Sequence, residues 1–265
     1  MFLFIRKNTY FTEKLIRLFR FTNYTFIPGE ATLEPEDMYD ENYVKKNKDK
    51  MHPWSSPGSA PVFGDGCGAN GGNPNGCDGM NDLFGTCCGA CKPDCGCGGY
   101  VGGKAAKDHY KEGLFVGAAT TTWTRGEPAE VYWNSGMGHR GGYAYRLCKV
   151  KAGKPWKASE KCFRKGHLNF HGNTTWIYEQ PLPHGFNPEN WIAQPKKTTT
   201  IGTSPKGSEW AKVNLPKEKP RDEYAIKDLV EVPESLTPGQ YVLSFRWDSL
   251  RTPQVWSSCA NINIV

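Results

Sequence analysis

The nine residues QYVLSFRWD, Gln240 to Asp248, alternate with a period of two. A β-strand converts that alternation into two faces, with Tyr241, Leu243, Phe245 and Trp247 on one and Ser244, Arg246 and Asp248 on the other. The pattern recurs in AEVYWN (129–134) and in GGYAYRLCKV (141–150), where Tyr143, Tyr145 and Leu147 share a face. A turn at Pro238-Gly239 feeds the strand at 240–248, and PQVWSSCANINIV closes the chain as a final strand bounded by Pro253. Short strands separated by turns, with hardly any helical periodicity, predict an all-β chain folded as a two-sheet sandwich. A length of 265 residues allows one main domain of this kind; 30 Gly and 19 Pro supply turns, and 13% aromatic residues can fill a core.

Cysteine usage bounds the compartment. Seven of ten cysteines fall between Cys67 and Cys97, and the others are Cys148, Cys162 and Cys259. Ten allow five disulfides, and a cluster of seven needs at least one partner outside itself. Cys148 and Cys162, close in sequence and flanking a hairpin or loop, form a natural pair, which leaves Cys259 for the cluster that begins at Cys67. Such a framework predicts a secreted or wall-facing protein. Residues 64–103 then form a Gly/Cys-rich insertion whose order comes from cross-links. The competing reading of CCGACKPDCGC is a metal knuckle, because the C-x2-C spacing from Cys88 to Cys91 suits tetrahedral thiolates.

The remaining segments exclude several classes. Net charge is +6, spread over YVKKNKDK, KVKAGKPWK and QPKKTTT without a basic helix or nucleic-acid module, so no nucleic-acid partner is expected. Arg6, Lys7, Glu13, Lys14, Arg17 and Arg20 interrupt every apolar run near the start, so no clean signal segment or membrane span is read there. Residues 1–50 read as an extension, ending in the acidic EATLEPEDMYDENY and a lysine-rich run. Asn23 and Asn173 lie in N-x-S/T triplets that suit an exported surface.

Individual side chains carry two readings each. His139 stands among glycines in GMGHRGGY, as a metal ligand at a sheet rim or as a loop histidine bonded to a carbonyl. His167 and His171 in GHLNFH share strand parity and could join a metal with His139, although exposed strand histidines are the commoner case. His109 and His184 read as surface residues. Trp54, Tyr143, Trp176 and Trp191 could stack on sugar rings, yet several of nine tryptophans must be buried in any sandwich. Trp256 shares a strand face with Ile262 and Ile264, which favours packing.

The blocks GSAPVFGDGCGANGG, WTRGEPAEVYWNSGMGHRGGYAYRLC, CFRKGHLNF and TPGQYVLSFRWDSLRTPQVWSSCANINIV resemble, in the same order, secreted algal and oomycete-type proteins. Those proteins are related to lytic polysaccharide monooxygenases and chitin-binding type-4 domains. The resemblance covers residues 51–265. It implies an immunoglobulin-like or fibronectin-III-like sandwich with a flat glycan-binding face, acting as a monomer on chitin, cellulose, pectin or a similar polymer. In catalytic members copper is held by an amino-terminal histidine, through its amine and imidazole, and by a second histidine from a loop, three nitrogens that suit copper.

Carried over by position, His139 matches the second histidine, Trp256 the axial aromatic, Gln254 the glutamine that orients the oxygen species, and Cys259 a disulfide cysteine. The Trp256 indole departs from the Tyr or Phe usual there. The chain resembles the carboxy-terminal portion of such proteins, and the first histidine of the pair has no counterpart as written. Cleavage between Met51 and His52 would supply one, exposing HPWSSPG with His52 at its start. Two functions follow: a copper-dependent monooxygenase acting on a wall polysaccharide, or a non-catalytic carbohydrate-binding or wall-structural module that has lost the histidine pair. An adhesive Cys-rich matrix protein is a third.

Overall fold

The computed structural model describes residues 2–4, 56–60, 62, 68–72, 100–105, 121–135, 140–150, 158–178, 191–213, 224–249 and 254–265. Their strands are β1 (Phe2–Phe4), β2 (Gly68–Gly72), β3 (Tyr100–Ala105), β4 (Thr121–Trp123), β5 (Pro128–Ser135), β6 (Gly142–Lys149), β7 (Thr174–Tyr178), β8 (Ile192–Pro195), β9 (Thr198–Thr199), β10 (Trp210–Lys212), β11 (Tyr224–Glu231), β12 (Gly239–Asp248) and β13 (Val255–Ile264). One short helix, α1 (Glu160–Phe163), lies between β6 and β7. The strands make two sheets, as the alternation predicts. One has the order β1-β5-β11-β7-β8; the other runs β3-β2-β13-β12-β6-β10-β9, with β4 parallel to β13.

Strand β12 is the spine of the second sheet. It pairs antiparallel with β13 from Gly239↔Ile264 to Asp248↔Val255, and with β6 from Tyr241↔Lys149 to Asp248↔Gly142. These registers put Tyr143, Tyr145 and Leu147 of β6 level with Trp247, Phe245 and Leu243 of β12, so the apolar faces add up to one surface. That surface meets Val131 and Trp133 of β5 and Ile226 and Val230 of β11 in the main core. Trp133, fully buried, is its hub: its ring lies 4.9 Å from Phe245, 5.0 Å from Tyr143 and 5.7 Å from Trp247. Tyr143 is therefore a core residue, and the expectation that it stacks on sugar is corrected.

One charged group sits inside this core. Asp228, flanked by Ile226 and Val230 on the inner face of β11, accepts a 2.7 Å hydrogen bond from the Tyr143 hydroxyl. Its other oxygen lies 3.4 Å from Lys196 Nζ, which also rests 4.7 Å from the centre of the Phe170 ring. Burial raises the Asp228 carboxyl above its ordinary range, with Lys196 and the tyrosine pulling the other way. The pair ties the two sheets together through polar atoms where packing alone would have no direction.

The opposite face of β6 and β12 is covered as well. Seven of the eight β6 residues are buried, a pattern that a sheet with one solvated face would not show. The cover is residues 158–170. Ser159 caps α1 by accepting from Cys162 N, Phe163 packs on Val242 and Cys148, and Leu147 N donates to Gly166 O at 2.7 Å. Gly166 comes so close that a Cβ there would stand 1.9 Å from Leu147 O. His167, expected on a strand, makes only an isolated bridge, to Arg146, as Phe170 does to Val230.

Cys148 and Cys162 form the expected disulfide, 14 residues apart, between β6 and its cover. Cys259 is disulfide-bonded too, to a partner outside the described residues. Cys67 and the other cysteines of the cluster, and the knuckle reading of Cys88 and Cys91, lie outside them. Closing a loop of this size removes unfolded-state entropy worth about 3 kcal/mol. Replacing Cys148 and Cys162 together by Ala should lower unfolding free energy by about that amount, read as a fall in the urea midpoint; an unchanged midpoint would contradict a loop tethered in this way.

Candidate functional site

The site is built at one end of the second sheet. Gly142 at the start of β6, Asp248 at the end of β12 and Val255 at the start of β13 lie in one row across neighbouring strands. The chain entering β6 and the connection from β12 to β13 therefore emerge side by side. Gln254 begins the latter return: its backbone carbonyl accepts from Ser249 N at 2.9 Å, closing the turn, and its side chain is buried. The Trp256 indole N–H donates to Gln254 Oε1 at 3.0 Å. With that oxygen taken, the amide N–H groups of Gln254 are the ones left to donate elsewhere. Trp256 is half-buried and packs on the edge of the main core. Gln254 and Trp256, singled out separately in the sequence, are thus one hydrogen-bonded unit.

Trp247 links this unit to the other chain segment. It is the register partner of Trp256, and its indole N–H donates to Arg140 O at 2.6 Å. Arg140 has φ 48° and Gly141 φ 87°, so two successive left-handed residues turn the backbone into β6, and Gly141 O accepts from Val213 N. His139 itself lies outside the described residues, as do His52, His109, His184 and Trp54. Among the described residues no three His, Cys, Asp or Glu side chains gather as metal ligands.

A polar cluster that the sequence reading missed lies next to this end, under the cover on the outer face. Arg246 Nε and Nη2 donate to the two oxygens of Asp248 at 2.6 and 2.9 Å, and Nη2 also to Ala60 O at 2.8 Å. Arg146 Nη1 donates to both oxygens of Glu160 at 2.8 Å, while its Nη2 donates to Ser244 Oγ; Glu160 also lies 3.4 Å from Arg246. Two guanidiniums and two carboxylates balance. Burial lowers the Arg146 pKa, helped by the neighbouring guanidinium and opposed by Glu160. For Arg246 burial acts the same way, but Asp248 and Glu160 outweigh it and raise the pKa.

The cluster anchors residues 56–60. Gly58 N donates to Asp248 Oδ2 at 2.9 Å, Arg164 Nη1 donates to Gly58 O at 3.0 Å, and Ser204 N donates to Pro57 O at 2.7 Å. Gly58 holds φ +82° with Ser204 O 1.9 Å from where a Cβ would stand, so only glycine fits. Residues 56–60 are thereby pinned against Asp248, which stands in one row with Gly142 and Val255.

His167 belongs to this environment. Its Nδ1 is enclosed without a hydrogen-bond partner, and its ring lies 5.7 Å from that of Trp210. Burial, then the nearby Arg146, Arg246 and Arg164, push its pKa down to about 3. Three guanidiniums make a poor setting for a metal cation, so the grouping of His167 with His139 as metal ligands is not supported, and the expectation of an exposed histidine holds only for His171. Because the folded pKa is depressed and the imidazole is a base, the unfolded chain binds the extra proton between pH 6.5 and 3, and stability falls as pH drops through that window. The loss approaches about 2 kcal/mol at pH 5. His167→Gln should flatten unfolding free energy between pH 7 and 5 in urea titrations; an unaltered slope would place the acid sensitivity elsewhere.

No family model matches the chain. It is 24% identical over 192 residues to the AA13 family lytic polysaccharide monooxygenase A of Pyricularia oryzae, covering 61% of this chain and 47% of that protein. The AA13 family lytic polysaccharide monooxygenase A of Aspergillus terreus is 24% identical over 171 residues, covering 54% and 40%. The chain thus spans about half the length of these curated relatives or less. Among solved structures, the lytic polysaccharide monooxygenase AA15 from Thermobia domestica in the Cu(I) state aligns with 16% identity and a TM-score of 0.33, over 55% of this chain and 63% of that one.

Proposed function

Starting from a chain that is lytic polysaccharide monooxygenase-like in sequence, we infer that it is an exported polysaccharide-active protein working through the sheet end that carries Gln254 and Trp256. We take its domain as residues 51–265, with 64–103 an insertion that supplies β2 and most of β3 to the second sheet, and 1–50 as an extension that adds the edge strand β1 to the first. The observation that carries the reading is the pair of indole bonds, Trp256 to Gln254 and Trp247 to Arg140. They order a glutamine side chain on one strand and the backbone next to His139 on another, at the same edge. Placement on paired strands of one rigid sheet is what an orienting group requires.

Copper is the cofactor this edge would serve. His139 would give one imidazole, and His52, if terminal, an imidazole and an amine, a three-nitrogen set that suits copper and leaves room for oxygen. The anchored Gly58 and Ser56 follow residue 52 closely: four residues of extended chain reach about 13–14 Å at most, so a terminal His52 is confined near the end of the sheet. Bound copper would supply the redox chemistry of oxidative glycan cleavage. The protein's own share is to hold the donors, to offer the amide N–H of Gln254 as a hydrogen-bond donor, and to limit one side of the site with the Trp256 ring. Where residue 52 is not terminal, the same edge serves as a carbohydrate-binding surface without that chemistry.

Sequencing the mature amino terminus by mass spectrometry decides between the two. With His52 terminal, copper titration should show one tight site, and His139→Ala should cost more than the roughly 10- to 100-fold that loss of an outer-shell partner costs. Unchanged affinity in that variant would end the copper proposal. Retention on insoluble chitin, cellulose or pectin, weakened by Trp256→Ala, is expected in either case; no retention on any of the three would leave only a structural-matrix role.

A further inference from the structure

The outer face of the five-stranded sheet, away from the edge discussed above, carries its own arrangement. Tyr132, Lys227, Trp176 and Ala193 stand in one row across β5, β11, β7 and β8. Trp191 joins them from just before β8, with its ring 5.9 Å from Tyr132 and 5.5 Å from Tyr178. The Lys227 ammonium lies between the two indoles, 4.6 Å from the centre of the Trp176 ring and 5.4 Å from that of Trp191. Both tryptophans and the lysine are half-buried.

Two features set this apart from ordinary packing. A surface lysine usually swings freely in water; here two ring faces fix the ammonium in place, an attraction of about 0.5–1 kcal/mol at exposed sites. Yet among the described residues the ammonium forms no ion pair with a carboxylate. The nearby Glu130 accepts instead from the Tyr132 hydroxyl at 2.6 Å. Among the described residues the sheet thus holds a positioned cation with no carboxylate in contact, flanked by two half-buried indoles.

We propose that this face binds a carboxylated polysaccharide, with Trp176 and Trp191 stacking on sugar rings and Lys227 meeting a uronate carboxylate. Stacking planes suit the apolar faces of pyranoses, and a fixed ammonium with no carboxylate in contact among the described residues is what selects an acidic chain over a neutral one. The basic balance of the molecule, net charge +6, adds general attraction for such a polymer. The inference rests on the reading of the protein as polysaccharide-active, but uses a different surface.

The test is titration of the intact protein with an oligogalacturonate and with its fully methyl-esterified form, followed by tryptophan fluorescence. The free acid should bind up to about fivefold more tightly than the ester, and the difference should shrink as salt is raised. Lys227→Met should abolish the preference while leaving ester binding in place, and Trp176→Ala should weaken both by about tenfold. Equal affinity of the unmodified protein for acid and ester, a comparison that needs no variant, would overturn the proposal. So would a preference that survives Lys227→Met, or a concentration-dependent dimer that Trp176→Ala abolishes, which would make the face a self-association surface. Chitin and cellulose retention, measured on the same variants, separates the two sites. Retention intact with no oligogalacturonate binding defeats this inference alone, whereas oligogalacturonate binding with no retention on chitin, cellulose or pectin that Trp256→Ala weakens defeats the role given to the Trp256 edge.

Discussion

A guanidinium without access to water dictates much of this structure. Arg246 is 1% exposed, and an ion so enclosed is tolerated only when its donors are satisfied and its charge balanced. Asp248 supplies the countercharge from two residues along the same strand face, Ala60 supplies a carbonyl, and Glu160 is shared with Arg146. Each partner comes from a different stretch of chain. Satisfying one side chain therefore requires α1 to sit over β6, the 56–60 segment to lie against the end of β12, and the β6–β12 register to be the observed one. A slip of either strand by one residue would turn its own guanidinium towards the apolar core.

The sandwich consequently has two interiors of different kinds. Between the sheets, Trp133 and its aromatic neighbours supply apolar burial, tolerant of small adjustments and interrupted by Asp228 and its Tyr143 and Lys196 partners. Outside the second sheet, the arginine and carboxylate cluster is directional and intolerant, because an unmatched buried charge costs far more than a lost methyl group. The candidate edge lies where the two meet. Trp247 faces the first interior while its register mates Trp256 and Tyr143 extend it, and Asp248, the next residue, belongs to the second. Gln254 and the backbone at Arg140 are thus held from both sides.

The period-two pattern made the strands and their shared faces legible. Tyr241, Leu243, Phe245 and Trp247 do point inward, and Cys148 does pair with Cys162, because both follow from local spacing. Period two says which side chains share a face, but not what covers it. The burial of Ser244, Arg246 and Asp248 depends on residues 58, 60 and 160, separated from them by 84 positions or more, and no local signal announces it. The same blindness made Tyr143 look available for sugar and His167 look exposed. Trp256 shows the opposite case: the sequence set core packing against an axial place beside a metal, and the ring packs on the core edge while its N–H bonds Gln254, a contact neither reading held.

The anchoring of residues 56–60 by the buried cluster is the point on which the edge depends, and amide hydrogen exchange at Gly58 reads it directly. In Asp248→Asn the Gly58 N–H loses a charged acceptor in addition to the general loss of stability from the weakened Arg246 pairing, so its exchange should quicken about 10- to 100-fold more than that of amides in the centre of β12 and β13. Exchange at Gly58 that stays in step with those core amides would contradict it.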